Sequence, residues 1–572
     1  MRLLHLKATI QDDEGNYIAS RATYSLAIES LNALRNQFYQ AKGKANLQEE
    51  ALSLLADAAN STWRAWNEFG KRADLEALYS VVQQGKSALL TDHLRNNRAL
   101  RFGGLPESVL QQEQQLQSDL VFYQTKIAEE RGKGAKKDSA LLERWLGKSL
   151  SIETSQRQLA AQLEREYPAY FNLKYDTQTI DIQVIQSRML GAEEAILECF
   201  IANETLYLFW IHRDEVQVRK LASDTIESLA LSLHEALKKP GLPFESQSSQ
   251  LYAKLLAPFI KEQIPGSIIV VPDGLLGYIP FEVLLTNAQP TSADYRSLPY
   301  LGKQSQVSYS YAVRLLLDGK RRSGNKKFAG FAPGYPPLSE SNNESSALAG
   351  LVRDGLWELP GARREVEEIA ALVDGTAFLG EEATESVFRS QAPQYGLLHL
   401  AMHALVDDQN PLQSYLVFTQ NDQDEHDGLL HASELYSMNL PAQLAVLSAC
   451  NTGYGSLRRG EGIMSLSRAF AYAGCPSTVM SLWQAPDKET GVLMEEFYQK
   501  LSQGLHKHDA LQQAKLRYLE EAYTPALGHP FYWAGFVFLG ENKPISSSSN
   551  TYLWILAGIA LFGLGIENKV RK

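Results

Sequence analysis

The first third of the chain has apolar residues at three- and four-residue spacing, which is the pattern of amphipathic helices. The loop around Pro106 and the charged segment ERGKGAKKDS interrupt this pattern. Residues 1–170 are therefore predicted to form an all-α region. Small residues where helices would cross favour an arrangement like tetratricopeptide repeats (TPR-like), and plain antiparallel packing of helices is the alternative. These small residues are Ala51, Ala58 and Ala59.

The pattern changes at about residue 172, and residues 172–315 predict a mixed α/β unit. The segment AILECFIANETLYLFWIHRDEVQVRKL has β-branched and aromatic runs separated by Asn-Glu and Arg-Asp turns, which is typical of β-hairpins. A helix is predicted near residues 225–237, and SIIVV predicts a buried strand that ends in a Pro-Asp-Gly turn. No cluster of residues in this unit indicates catalysis.

Strand and helix patterns alternate from residue 326 to residue 540. This alternation predicts an α/β domain with a largely parallel sheet covered by helices on both faces. In such sheets, functional groups gather beyond the carboxyl ends of the strands. The predicted strands are KFAGFAPG, TAFLG, YGLLHLAMHA, QLAVLSACNTG, STVMSLWQ and WAGFVFLG; the predicted helices are ARREVEEIAALV, one opening at Thr384, EGIMSLSRAFAYAG, and two within 488–522.

The C-terminal residues predict a hydrophobic helix after a flexible connection. Residues 541–551 form a serine-rich linker, residues 552–566 are an apolar segment, and residues 567–572 form a basic tail. The segment is short for a bilayer, but its aromatic residues suit a membrane interface, so we expect a transmembrane anchor. A terminal helix docked on the protein is the alternative. The basic tail conflicts with simple insertion that leaves the tail outside.

The composition and charge of the chain exclude some classes of function. The chain of 572 residues carries a formal charge of -11, which gives it no overall electrostatic reason to bind nucleic acid. It has three cysteines and an N-terminus without the apolar core of a signal peptide. We therefore expect the bulk of the protein to lie in the cytoplasm, held at the inner membrane by residues 552–566. Zinc-binding and phosphate-binding motifs are absent from the sequence, so no metal or cofactor is expected.

Two predicted strands end in residues that suit nucleophilic catalysis. His403 follows the strand in LLHLAMHA, and Cys450 follows the strand in AVLSACNTG. A thiol becomes a useful nucleophile when a nearby imidazole accepts its proton, and neighbouring strand ends in a parallel sheet would bring the two together. His399 lies inside its strand and is expected to serve packing or support. Cys199 and Cys475 fit buried small apolar residues better.

Several long motifs in this order resemble the CHAT family, whose caspase-like domains are associated with TPR repeats. They are LLHLAMHA, AVLSACNTG, RRGEGIMSLSRAFAYAGCPSTVMSLWQAPD and HPFYWAGFVFLG, with IIVVPDGLLGYIPFEVLL upstream. The resemblance implies a cysteine endopeptidase with His403 as general base and Cys450 as nucleophile. It also implies that residues 172–315 are a pseudo-caspase-like half, packed on a catalytic half at 326–540.

Within this resemblance, other residues take supporting roles. By their positions in the sequence, the amides of Cys450 and Ala404 are expected to donate to an oxyanion. Asp487 and Glu461 are candidates for a pocket that holds a basic P1 side chain, and solvated surface acids are the alternative for each. The resulting hypothesis is a membrane-tethered endopeptidase that cleaves a specific protein in bacterial defence or signalling, with a regulatory protein bound to the helical region. A catalytically silent scaffold of the same fold is the rival hypothesis.

Overall fold

The computed structural model describes residues 1–37, 41–132, 138–174, 179–287, 294–317, 325–335, 359–421, 424–449, 452–453 and 455–545. Residues 1–174 are all-α in this part of the chain, as the sequence predicts. Ala51, Ala58 and Ala59 are fully buried on the third helix, where their small side chains let neighbouring helices approach closely. The helices are α1 (Arg2–Asp13), α2 (Tyr17–Gln37), α3 (Ala41–Phe69), α4 (Arg72–Gly85), α5 (Ala88–Phe102), α6 (Glu107–Gly132), α7 (Ser139–Glu166) and α8 (Pro168–Lys174).

The next unit begins with the predicted hairpins. Its first three strands pair antiparallel, and Asn203 adopts a positive φ of 55° in the first turn, a conformation that asparagine tolerates. The two strands that follow are parallel to the first. The elements are α9 (Ile182–Arg188), β1 (Glu194–Ala202), β2 (Thr205–His212), β3 (Val216–Ala222), α10 (Ser223–Leu237), α11 (Glu245–Leu255), β4 (Ser267–Val271), β5 (Gln306–Tyr309) and α12 (Val313–Leu317).

The last unit alternates strand and helix, as predicted. Buried strands of four to six residues are covered by amphipathic helices on both sides. Its elements are β6 (Phe328–Pro333), α13 (Pro360–Val373), β7 (Thr376–Gly380), α14 (Glu385–Gln391), β8 (Leu397–Leu400), β9 (Ala404–Leu405), β10 (Tyr415–Val417), β11 (Leu429–His431), α15 (Ala432–Leu435), β12 (Leu444–Leu447), β13 (Gly455–Arg458), β14 (Gly462–Ser465), α16 (Leu466–Tyr472), β15 (Ser477–Ser481), α17 (Asp487–Ser502), α18 (Lys507–Glu521), α19 (Pro530–Trp533) and β16 (Phe536–Gly540).

One predicted helix is wrong over its first part. The segment EGIMSLSRAFAYAG was expected to be helical throughout, but β14 occupies its start and pairs antiparallel with β13. Gly460 and Gly462 both have positive φ, which an α-helix does not allow. Ser465 then accepts the Arg468 N–H and caps α16, so the helix begins only after this residue.

The two predicted α/β halves share one sheet in the described part of the chain. Its order is β3-β2-β1-β4-β5-β16-β15-β12-β8-β6-β7, and the halves meet where β5 runs parallel to β16. The sheet is mostly parallel from β1 onward, with β16 antiparallel to β15. The halves are thus hydrogen-bonded edge to edge, a closer relation than the packing that the resemblance implied. A small sheet, β11-β10-β9, lies beyond the end of β8.

The predicted membrane anchor at 552–566, most of the linker and the basic tail lie outside the described residues. Among the helices that the structure describes, none combines the length and the apolar character needed to cross a bilayer.

Candidate active site

The register between β8 and β12 determines which strand ends are neighbours. The two strands run parallel, with His399 opposite Val446 and Leu400 opposite Leu447. Each pair is separated by 47 positions in the sequence, and so are His403 and Cys450. His403 therefore lies the same number of positions after the end of β8 as Cys450 lies after the end of β12. Cys450 itself lies outside the described residues.

His403 is buried, and hydrogen bonds to its backbone hold it in position. Its carbonyl accepts the Val417 N–H at 3.0 Å, and its own N–H donates to the Tyr335 hydroxyl at 3.1 Å. That hydroxyl in turn donates to the Val417 carbonyl at 2.9 Å. It therefore links the backbones of His403 and Val417 in place of a direct hydrogen bond between the His403 N–H and the Val417 carbonyl. The rings of Tyr335 and His403 have centroids 4.7 Å apart. Sequence reasoning missed Tyr335, although its position just past β6 was a usable signal.

Ala404 begins β9, and its amide is not used by the pairing with β10. Because Val417 donates to the His403 carbonyl, the next pair, Ala404 with Leu416, is of the non-hydrogen-bonded kind. In such a pair, the N–H groups point away from the partner strand. The Ala404 N–H therefore points out of this ladder, which suits the oxyanion role expected for it.

The residues on both sides of Cys450 are held by Ser481 at the end of β15. The Ser481 hydroxyl donates to the Ala449 carbonyl, and its carbonyl accepts the Gly453 N–H at 2.8 Å. The Ser481 N–H donates to the hydroxyl of Thr452 at 3.1 Å, and that hydroxyl donates to the Leu447 carbonyl at 3.2 Å. Four residues near position 450 are thus connected to one buried serine. Sequence reasoning missed Ser481 as well.

Two carboxylates lie near the two histidines: Asp487, close to His403, is exposed, and Glu365, in contact with His399, is buried. Asp487 is exposed at the start of α17; partial burial raises its pKa, the Glu365 carboxylate raises it further, and the charge of His403 lowers it. Glu365 is buried on α13 and contacts His399 Nε2 through Oε1 at 2.9 Å. His399 is fully buried, with Nδ1 3.2 Å from the Tyr498 hydroxyl. Both ring nitrogens of His399 therefore have partners within the core.

Glu461 lies in the interface with the helical region. Its Oε1 accepts the Leu89 N–H at 2.9 Å, and its Oε2 is 2.6 Å from Arg468 Nη2, with both side chains buried. Since both oxygens have partners inside the chain, Glu461 is not open to a substrate cation in this arrangement. The predicted P1 pocket therefore depends on Asp487 alone.

A buried network connects the helical region to the segment that follows Cys450. Ser87, between α4 and α5, donates its N–H to the Gly460 carbonyl at 2.7 Å. Arg468 is fully buried between the rings of Tyr311 and Tyr472, at 5.3 and 5.9 Å from their centroids. The neighbouring Ser467 donates its N–H to the Thr452 carbonyl at 3.2 Å. Continuous contacts thus run from the start of α5 to the second residue after Cys450.

Cys199 and Cys475, the two cysteines that the structure describes, lack the exposure of a reactive thiol. Cys199 is fully buried in β1, and burial raises the pKa of its thiol to about 12. Cys475 is also buried, and its Sγ donates to the Ser477 carbonyl at 3.2 Å. Burial of this kind leaves a thiol inert.

Comparison with known proteins identifies a family. The sequence profile of the CHAT domain matches residues 245–541, which is more than half of the chain. Tetratricopeptide repeat protein 28 from Homo sapiens is 26% identical over 322 residues, and its Mus musculus counterpart is 25% identical over 322 residues. These matches cover 50% of this chain and only 12% of each relative.

Solved structures of the separase–securin complex from Saccharomyces cerevisiae are also similar. They have TM-scores of 0.35 and 0.36, each at 11% sequence identity. The similarity covers 94% and 92% of this chain, and 46% and 38% of the respective matched chains. Scores this low do not by themselves establish a shared fold, so the family assignment depends on the sequence.

Proposed function

The chain belongs to the CHAT-domain family, and on this basis we propose that it is a cysteine endopeptidase with His403 as general base and Cys450 as nucleophile. The register of β8 with β12 is the observation that supports this most directly. Strand ends that are neighbours in a parallel sheet lie at one edge, and the dyad residues are equally far beyond their paired strands. The burial of Cys199 and Cys475 also favours Cys450 as the reactive thiol.

In the proposed reaction, the imidazole of His403 accepts the thiol proton of Cys450. The thiolate attacks the carbonyl carbon of the scissile peptide, and the Ala404 N–H donates to the oxygen on which negative charge develops. The imidazolium then gives its proton to the leaving amine, and water hydrolyses the resulting thioester. Tyr335 and Ser481 hold the backbone around the two reacting residues, and so limit the reorganisation that the reaction requires.

Asp487 is the proposed partner of a basic P1 side chain. Its exposed position near His403 supports this role, because a substrate residue beside the scissile bond has to lie close to the catalytic base. The helical region is proposed to bind a regulatory protein, and its contacts with the segment after Cys450 offer a route for that effect.

The rate of thiol alkylation tests the dyad without knowledge of the substrate. Iodoacetamide labelling, followed by peptide mass spectrometry between pH 6 and pH 9, gives a separate rate for each cysteine. We expect Cys450 to react fastest, and His403→Ala to slow it at pH 6 by about tenfold or more, because the neighbouring imidazole favours the thiolate. If the protein is a catalytically silent scaffold, the alkylation rate of Cys450 should rise with pH as it does for an ordinary thiol, with a midpoint at about pH 8.5. The unmodified protein and His403→Ala should then behave alike.

Cleavage of a peptide library completes this test. Cys450→Ala and His403→Ala should each abolish cleavage, whereas Cys475→Ser is the matched control and should retain it. Equal loss of cleavage in Cys475→Ser at unchanged stability would show that Cys450 is the wrong thiol.

We further propose that residues 552–566 hold the protein at the inner face of a membrane. The apolar character of this segment and the serine-rich linker before it support the proposal. The full chain should sediment with membranes and resist carbonate extraction, whereas a chain ending at Gly540 should not. A full chain that stays in the supernatant would contradict the anchor.

A further inference from the structure

A partly enclosed cleft of about 50 Å³ lies between the helical region and the sheet. It is bounded by the end of α2, the junction of α4 with α5, and residues of β1 and α12. Neither the proposed general base His403 nor the proposed P1 partner Asp487 is among the residues that line it.

The charged side chains that line the cleft are mainly cationic. Among its described lining residues, four are cations and two are carboxylates. Lys86 donates to the carbonyls of Cys199 and Pro272, each at 2.7 Å. Burial raises the pKa of Glu198, while Lys86 lowers it. The six charged residues are Arg35, Lys86, Arg95, Arg314, Asp92 and Glu198.

Arginine supplies three of the four cations, and they come from separate elements. Arg35 is buried near the end of α2, Arg95 is on α5 at 2.6 Å from Asp92, and Arg314 is on α12. Guanidinium groups bind phosphate oxygens in pairs of parallel hydrogen bonds, which a set of arginines in a partly enclosed cleft is suited to provide.

The start of α5 also lies at the cleft, and its own anion is the buried carboxylate of Glu461. This helix has 15 residues and begins at the cleft, with Ala88 and Thr91 in the lining. Its first turn already binds one anion, because the Leu89 N–H donates to the carboxylate of Glu461. The N-terminal end of a helix attracts anions through its free N–H groups and its dipole.

We propose that this cleft binds a small molecule that carries phosphate groups. Arg35, Arg95 and Arg314 hold the phosphate. The enclosed shape favours a small molecule over a nucleic acid, which would need an extended cationic track on a chain that is acidic overall. Because Glu461 contacts both α5 and Arg468, the ligand would influence the segment after Cys450; this consequence rests on the proposed function.

Isothermal titration calorimetry with ATP and with pyrophosphate, both free of magnesium, tests the site. The protein is the full chain with Cys450→Ala, so the result does not depend on peptidase activity. We expect at least one probe to bind, and Arg35→Gln and Arg314→Gln each to weaken that binding by about tenfold or more. Arg314→Lys should restore part of the affinity. Arg165→Gln, at an exposed position on α7, is the matched control and should bind within about twofold of the parent protein.

Three results would overturn the proposal. One is the absence of binding by both probes at millimolar concentration. Another is binding that neither Arg35→Gln nor Arg314→Gln weakens, since the ligand would then lie elsewhere. The third is binding of a phosphoserine peptide without binding of either probe. Thermal unfolding of each variant shows whether it is folded, and the half-buried Arg314 provides a test that remains valid if Arg35→Gln does not fold.

Discussion

The carboxylate of Glu461 accepts a hydrogen bond from the Leu89 N–H at 2.9 Å, although 372 positions separate them. Leu89 lies in the first turn of α5, and Glu461 lies between the strands of the hairpin β13–β14. The same carboxylate pairs with the fully buried Arg468. This buried anion is therefore one of the groups that join the helical region to the α/β part, which makes Glu461 important for stability.

Replacing this carboxylate should destabilise the protein strongly. Glu461→Gln leaves the Arg468 guanidinium buried without its counter-charge, which costs about 3 to 5 kcal/mol in comparable buried pairs. Urea unfolding measures the effect. Glu367→Gln is the matched control, because Glu367 pairs with Arg363 on the exposed face of α13 and should change stability by less than about 0.5 kcal/mol. Similar losses in the two variants would contradict the role of Glu461.

The buried carboxyl of Glu385 should make stability depend on pH. Burial raises its pKa to about 7, although Arg389 at 2.7 Å lowers it. The folded protein therefore binds this proton more tightly than the unfolded chain does. The resulting stability is fully present below about pH 4.5 and is lost as the pH rises through about 7.

Glu385→Gln removes this contribution. Between pH 5 and pH 8, the unfolding free energy of the unmodified protein should fall relative to that of the variant by about 2 to 3 kcal/mol. Urea unfolding of both proteins at several pH values gives the difference between their unfolding free energies. The other titrating groups contribute equally to both proteins, so their effects cancel in this difference. Parallel curves for the two proteins would show that the carboxyl titrates normally.

The hydroxyl of Tyr335 should stabilise the backbone at His403. Tyr335→Phe removes the group that accepts from the His403 N–H and donates to the Val417 carbonyl, and should cost about 1 to 3 kcal/mol. If His403 activates Cys450, the variant should also slow alkylation of Cys450 at pH 6. Tyr395→Phe is the control, since its hydroxyl bonds to Thr376 at an exposed position. Unchanged stability and alkylation in Tyr335→Phe would rule out this role.

Asp487 should determine a preference for basic P1 residues. Asp487→Lys should lower kcat/KM for peptides with arginine or lysine at P1 by about 10²-fold, because the substrate cation loses its partner and meets a like charge. Peptides with apolar P1 residues should be affected much less. Glu489→Lys, in the same first turn of α17, is the matched control. A library that shows an apolar P1 preference in the unmodified protein would end this assignment.

Features that depend on residues close together in the chain could be predicted without the structure. The helices of residues 1–174, the hairpin turn at Asn203 and the alternation that gives β6, β8, β12 and β15 follow from local periodicity and turn chemistry. The 47-residue spacing of His403 and Cys450 also proved equal to the register offset of their strands. Motif order alone indicated the CHAT family, which the profile match confirms.

Contacts between residues far apart in the chain were not predicted and are seen in the three-dimensional fold. Tyr335 reaches the backbone of His403, Glu365 reaches His399, and Glu461 binds Leu89 and Arg468. The pairing of β5 with β16, which joins the two halves into one sheet, is also a contact between distant parts of the chain. Hydrophobic periodicity specifies which face of an element is buried, but not the partner that a polar group finds there. That partner is set by strand register and by the path of the chain between elements, which is why Glu461 was predicted at a substrate pocket and lies in an internal interface.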